Sequence, residues 1–300
     1  MRVTNSMMVQ NMLDHLKNNM GDLNDLNEQL SSGKLFQRPS DAPIKVSDSM
    51  NYKSQLNRNS QFQRNLNQTE NWLNTTESSL KSGTKVIQRA RELTIYAAND
   101  SVTSEDREAI ASEVKELRDE LIDISRAELG DSYIFSGQKI DQEPFSITKN
   151  ADGTINTLTY NGDNASVSRR LNENVQMNIN FTGDEVFQDE IEALDSLYSD
   201  LNSGTATGEM IGSNNLSAMD DAINKFTELR SEIGGKSKRI DNLMSRLEAN
   251  EIHLKQLKSG NEDVDIAEVI TNLKMEENVY RASLASGARI MQQSLVDFIR

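Results

Sequence analysis

Apolar residues return along this chain at two different periods. Near the start, Val9, Met12, Leu16, Asn19, Leu23, Leu26 and Leu30 recur at alternating intervals of three and four. That spacing predicts a helix with a coiled-coil seam and one polar seam position, Asn19. Gly33 then offers a stop, because helices commonly end on a left-handed residue. Beyond it, Pro39 and Pro43 flank Ser40 and Asp41. Ser or Asp can cap a new helix, and proline is tolerated in its first turn. Residues 33–42 therefore read as a short, stiff linker whose determining positions are Gly33, Pro39, Ser40, Asp41 and Pro43.

A second helix is expected from about Pro43 to Ala98. In it Leu66, Leu73, Leu80 and Ile87 recur every seven residues, with Thr69, Thr76, Gly83 and Ala90 three positions after each. Large residues beside small ones let a partner helix come close. A third helix should start near Thr103 or Ser104, with Asp106 reaching back as a capping box. Ile110, Val114, Leu117, Leu121 and Ile124 form its seam, and Gly130 is expected to end it. Between about 139 and 183 the period falls to two. "FSITKNADGTINTLTY" alternates around Asp152-Gly153, and "ASVSRRL" and "VQMNINF" read as further short strands.

Helix returns at about 185–202 and again from about Asn214 to Lys258, where Phe226, Ile233, Ile240, Leu247 and Leu254 recur every seven residues. The glycine pair in "IGG" interrupts this run at about 1 kcal/mol each relative to alanine. "SGNEDVD" is expected to break it. A last helix carries Ile266, Ile270, Leu273, Leu284, Met291 and Phe298. The order is thus palindromic, and the economical solution pairs the first helix with the last and 43–130 with 185–258.

The expected fold is mainly α and elongated. It has paired N- and C-terminal helices, a long antiparallel helical rod, and a small β insert at the far end. The boundaries expected are 1–32 with 262–300 for the terminal helices, 33–42 for the linker, 43–138 with 184–261 for the rod, and 139–183 for the insert. Two terminal helices that have only each other leave much of their seams exposed, so these ends are expected to order on assembly.

Composition narrows the function. The 300 residues include no Cys and few aromatics, and carry a formal net charge of −15. Phosphate binding needs a concentrated basic surface, so nucleic acid is not an expected partner. No stretch has the roughly 20 apolar residues of a membrane span, and no membrane insertion is expected. The N-terminal stretch lacks the apolar core and small-residue cleavage site of a Sec signal peptide. His15 and His253 stand alone, without a metal-ligand companion, and read as surface or seam-edge positions. "DSVTSEDRE" places its carboxylates at a helix start, where negative charge is favourable anyway. "NADGTINT" lacks the spaced acidic ligands of a calcium loop. Trp72, beside the Leu66/Leu73 seam, reads as packing. No catalytic, cofactor or metal site is expected, and the protein is not expected to be an enzyme.

Several separate motifs occur in one order: "MRVTNSMM", "LSSGKLFQRPSDAP", "YIFSGQ" followed by "PF", "GDEVF", "RSEIGGKSKRIDNL" and "DVDIAEVITNLKMEENVYRASL". On these the chain resembles the flagellin superfamily, nearest its hook–filament junction members of the hook-associated protein 3 family. "RPSDAP" and "YIFSG…PF" look like junction members and not like filament flagellins, although "KLFQ" departs from the usual pattern. The resemblance implies a structural role in the bacterial flagellum, with a minor or atypical filament flagellin as the alternative. It implies export, unfolded, through the flagellar type III apparatus without a cleaved signal. It further implies self-association in a helical ring through the terminal helices, and flagellin and hook-associated protein 1 as partners. A dedicated export chaperone would hold residues 262–300. Residues 33–42 would be the spoke from inner-tube helices to outer rod, an offset that one continuous helix could not make.

Overall fold

The computed structural model describes residues 5–99, 101–203 and 207–298, with side chains from 7 to 289 within those ranges. Its helices are α1 (Asn5–Ser32), α2 (Pro43–Ala97), α3 (Ser104–Ser125), α4 (Asp189–Asn202), the single turn α5 (Gly208–Met210), α6 (Leu216–Glu262) and α7 (Ile266–Phe298). Six short strands lie between α3 and α4: β1 (Glu128–Leu129), β2 (Ser132–Tyr133), β3 (Phe145–Lys149), β4 (Ile155–Tyr160), β5 (Ser168–Asn172) and β6 (Val175–Asn178). They form three antiparallel pairs, β1–β2, β3–β4 and β5–β6. π-helical turns at Asp184–Gln188 and Ile211–Asn215 lead into α4 and α6.

The chain forms two compact units, Met1–Asn59 with Ala249–Arg300, and Ser60–Glu248. In the second, the seven-residue repeats become the core. Leu66, Leu73, Leu80 and Ile87 are fully buried, as are Thr69 and Ala90 beside them and Phe226 on α6. Each threonine Oγ1 donates to the carbonyl four residues earlier on α2, as Thr76 does to Trp72 at 2.9 Å, so the hydroxyls enter the core satisfied. Arg230 with Glu77 and Arg91 with Asp220 bridge α6 and α2 in antiparallel order. The start of α3 is held by a capping box between Thr103 and Asp106.

The β region packs onto this bundle through its aromatic residues. Phe135 meets Phe187 edge-on at 4.8 Å, and Phe187 meets Phe226 at 5.8 Å. The Tyr160 hydroxyl donates to the Phe135 carbonyl at 2.8 Å, and burial pushes that phenol up to about 12. Arg118, fully buried, bonds Asp119, Asp195 and the Gly153 carbonyl and lies 5.4 Å from the Tyr198 ring centre. Asp195 also accepts from the Ile155 amide, so one buried cation docks the β3–β4 hairpin on α3 and α4.

Two helix ends differ from the sequence expectation. α3 stops at Ser125, and Gly130 (φ 67°) instead turns the small β1–β2 hairpin, a left-handed position that suits glycine. α6 runs through Ser259-Gly260 to Glu262, because the turn that ends it is fixed by the tertiary partners of Glu262 and Asp263 described below. Gly234 and Gly235 do not interrupt α6, and a Cβ on either would meet open space.

Candidate assembly interface

Within the terminal unit α1 and α7 pair antiparallel. Asn19 Nδ2 donates to Ser283 Oγ at 3.3 Å, so the one polar seam residue of α1 finds a polar partner on α7. Met12 lies over Gly287, where an added Cβ would stand 2.6 Å from its Cε. Val9, Met12, Leu16, Leu23, Leu26 and Leu30 are all half-buried. Both helices are therefore formed and paired in the single chain. Helices of 28 and 33 residues are long enough to propagate once packed on each other.

α7 separates its apolar residues by role. Leu273 is buried against the unit together with Val269. Ile266, Ile270 and Leu284 are exposed, at 55%, 43% and 46%. Met291 and Phe298 belong to α7, but their side chains lie outside the described residues. The inward line of α7 is Val269, Leu273, Glu276, Tyr280, Ser283 and Gly287, none of them fully exposed. Its signal was an alternating three-and-four spacing that, beyond Leu273, passes through Glu276, Tyr280, Ser283 and Gly287, residues that aliphatic periodicity does not mark. On α1 the outer face carries Met7, Met8, Leu13 and Met20. An apolar hollow of about 240 Å³ opens between Val9, Leu13, Leu16 and the Leu284–Ala288 turn.

The linker is a built structure. Gly33 (φ 67°) ends α1, with its amide donating to Gln29 O at 2.8 Å. The Gly33 carbonyl accepts from the Val264 amide at 3.2 Å, and the Leu35 amide donates to Glu262 O at 2.7 Å. The two crossings between helices are thus strapped together as a short antiparallel bridge, Lys34 opposite Asp263. Asp41 does not cap α2 forward. Its carboxylate accepts from the Arg38 and Gln37 amides at 2.9 and 3.3 Å, and these bonds hold it below the usual carboxylate range. Pro43 opens α2 as its first residue, where a missing N–H costs nothing. Pro39 and Ser40 are exposed, and the Ser40 hydroxyl donates to Asp41 at 3.1 Å.

Around the bridge lies a charge cluster that periodicity could not reveal. The Glu262 side chain is only 5% exposed and receives Lys53 at 3.0 Å, Lys34 at 3.2 Å and Lys258 at 3.7 Å. Burial opposes its charge, yet Lys53 and Lys34 outweigh that and hold the carboxyl below its ordinary value. Asp263 is likewise held low, by Lys34 first and then by the Ser259 hydroxyl. Asp265 caps α7, accepting from the Ala267 amide at 2.9 Å. Asn261 Nδ2 donates to the Lys45 carbonyl at 2.7 Å and so ties the end of α6 to the start of α2.

His15 and His253 are both exposed. Among the described residues no group of His, Cys, Asp and Glu is placed to hold a metal ion, and no helix is long and apolar enough to cross a membrane.

The bacterial flagellin N-terminal helical region matches residues 3–140, and the C-terminal helical region matches residues 216–299. Flagellar hook-associated protein 3 of Salmonella typhimurium is 26% identical, covering 100% of both chains. That of Escherichia coli is also 26% identical, over 94% of this chain and 95% of the relative. Flagellin of Bacillus subtilis is 24% identical over 98% and 97%. Among solved structures, a flagellar hook-associated protein from Vibrio parahaemolyticus superposes with a TM-score of 0.67 at 20% identity, covering 74% of this chain and 100% of that one. The flagellar junction protein FlgL of Legionella pneumophila gives 0.58 at 17% identity, over 73% and 99%. At such identities the superpositions speak for the fold.

Proposed function

Because this chain belongs to the bacterial flagellin family and is a structural component of the flagellum, we propose that it is a junction subunit. It would join the hook-associated layer to the flagellin filament through its terminal helices. One observation carries this reading. Large exposed apolar side chains concentrate in the terminal unit, on α1, α7 and the adjoining ends of α2 and α6. In the other unit, among the described residues, Ile95, Tyr96 and Met210 alone are of that kind. Exposed apolar faces of this extent mark surfaces that a partner covers.

In this reading residues 1–32 and 262–300 form the inner tube, 33–42 the spoke, 43–138 with 184–261 the outer rod, and 139–183 the β-rich end. Val9, Met12, Leu16, Leu23, Leu26, Leu30 and Leu273 hold the terminal pair together. Ile266, Ile270 and Leu284 meet neighbouring subunits, and Met291 and Phe298 continue the same helix. Head-to-tail contacts of this sort build open helical arrays, with hook-associated protein 1 on one side and flagellin on the other. An amphipathic α7 also suits capture in a chaperone groove before type III export. The role is structural, with no chemistry assigned to any side chain.

The test is Leu13→Asp with Ile270→Asp in the native host. Both positions are exposed, so the variant should fold and reach the medium. Hooks without filaments, with flagellin shed, are the expected phenotype. Normal filaments would sink the interface. Long filaments grown from purified wild-type chain alone would favour a minor filament flagellin.

A further inference from the structure

We propose that Glu262 is a positioning residue for assembly: with Lys34, Lys53 and Lys258 it locks the 33–42 linker onto the turn between α6 and α7, so the spoke is a preset strut in the free subunit. The assembly consequence rests on the junction reading above, whereas the lock stands on geometry alone.

Much of the linker's backbone is hydrogen-bonded inside the subunit. Gly33 uses both its amide and its carbonyl, and Leu35 donates to Glu262 O and accepts from Gln29 Nε2 at 3.2 Å. Asp41 accepts from the Gln37 and Arg38 amides. A tether meant to flex would leave these groups to water, but here they are paired within the chain. Glu262 supplies both halves of the lock, its carbonyl to Leu35 and its carboxylate to three lysines. Those lysines come from three different segments: the linker, α2 and the last turn of α6. Exposed ion pairs are worth little singly. This carboxylate is buried, and it gathers three cations where one would suffice for charge balance. Removing it leaves the three ammonium groups facing one another, with Asp263, just past the end of α6, as the remaining carboxylate on Lys34. The exit direction of the α1/α7 pair from the α2 and α6 ends of the same unit is then free to vary.

Hydrogen exchange by mass spectrometry on full-length monomer reads this directly. In the wild type, peptides covering 33–36 and 262–265 should be protected. In Glu262→Lys their exchange should rise at least tenfold, while peptides within 66–93 keep wild-type rates. Lys34→Glu should loosen the same peptides, and adding Asp263→Lys should recover protection by restoring an opposed pair. Coil-like exchange of 33–36 in the wild type would overturn the lock, as would unchanged exchange in Glu262→Lys. If that variant loses protection within 66–93 as well, the Lys34→Glu and double-variant pair decides.

The cellular arm uses a host lacking the wild-type chain. Glu262→Lys should be exported and yet retain few filaments. Loosened peptides with normal filaments would end the positioning role and leave the junction reading standing. Failure of the wild-type chain to restore filaments would strike that reading instead, with the exchange result untouched.

Discussion

The Phe226 ring lies against the backbone of Gly83: a Cβ on that glycine would sit 2.9 Å from Phe226 Cε2 and 3.5 Å from Leu121 Cδ1. Phe226 and Leu121 are both fully buried, so neither can yield cheaply. Gly83→Val should therefore destabilise the unit by about 1–3 kcal/mol through overpacking. Urea unfolding followed by the emission of Trp72, the sole tryptophan and a buried one, measures it. Unchanged stability would mean that α2 and α6 can separate locally.

Arg118→Met removes the cation shared by Asp119, Asp195 and the Gly153 carbonyl. The loss should be about 3 kcal/mol, toward the low end for a broken buried pair because the carboxylates keep some access to water. Amides of β3 and β4 should exchange faster before α2 does. Equal loss of protection in both would mean that the hairpin and the bundle unfold as one.

Glu190 predicts a pH effect with a definite sign. Burial raises its pKa above the ordinary 4.5, against the pull of Lys225. A carboxyl with a raised folded pKa favours the protonated native state. Its contribution is fully present below the ordinary value and is lost as pH rises through the folded one. Glu190→Gln should therefore gain on the wild type as pH rises from about 4 to about 7, with the difference levelling once Glu190 is ionised. Urea midpoints across that range check it, and a difference that shrinks with pH would refute the assignment.

Thr103→Ala should cost about 1 kcal/mol, the usual worth of an N-cap. Both arms of the capping box are present, so Asp106→Ala should lose part of the same amount and the double variant less than the sum. Thermal melts of the three variants decide, and additive losses would mean that the two arms act independently.

The legible parts of the fold were those where one physical signal acts alone. Leu66, Leu73, Leu80 and Ile87 announce a buried stripe by spacing and are buried. Asp152-Gly153 announces the β3–β4 turn, where Gly153 has φ 88°. The inward face of α7 was legible only at Leu273, because Ser283 and Gly287 meet Asn19 and Met12 of α1 without being apolar. The larger Ile266, Ile270 and Leu284 attract the eye yet face outward. Gly33 and Pro43 announce a break by their chemistry, and α1 ends at Ser32 while α2 begins at Pro43. Lys34 and Lys53, by contrast, reach Glu262 from more than two hundred residues away, and no local pattern encodes that meeting.

The glycine pair in α6 leaves a trace of its own. Gly234 and Gly235 sit in continuous helix with open space beside them, so each forgoes about 1 kcal/mol relative to alanine and recovers nothing by close packing. Ile233 just before them and Ile240 after them are both anchored in the core. α6 is thus one helix in shape and two in cohesion: its amides should open most readily at this midpoint, while the flanking turns hold, and a twist imposed at one end would be absorbed here before reaching the other.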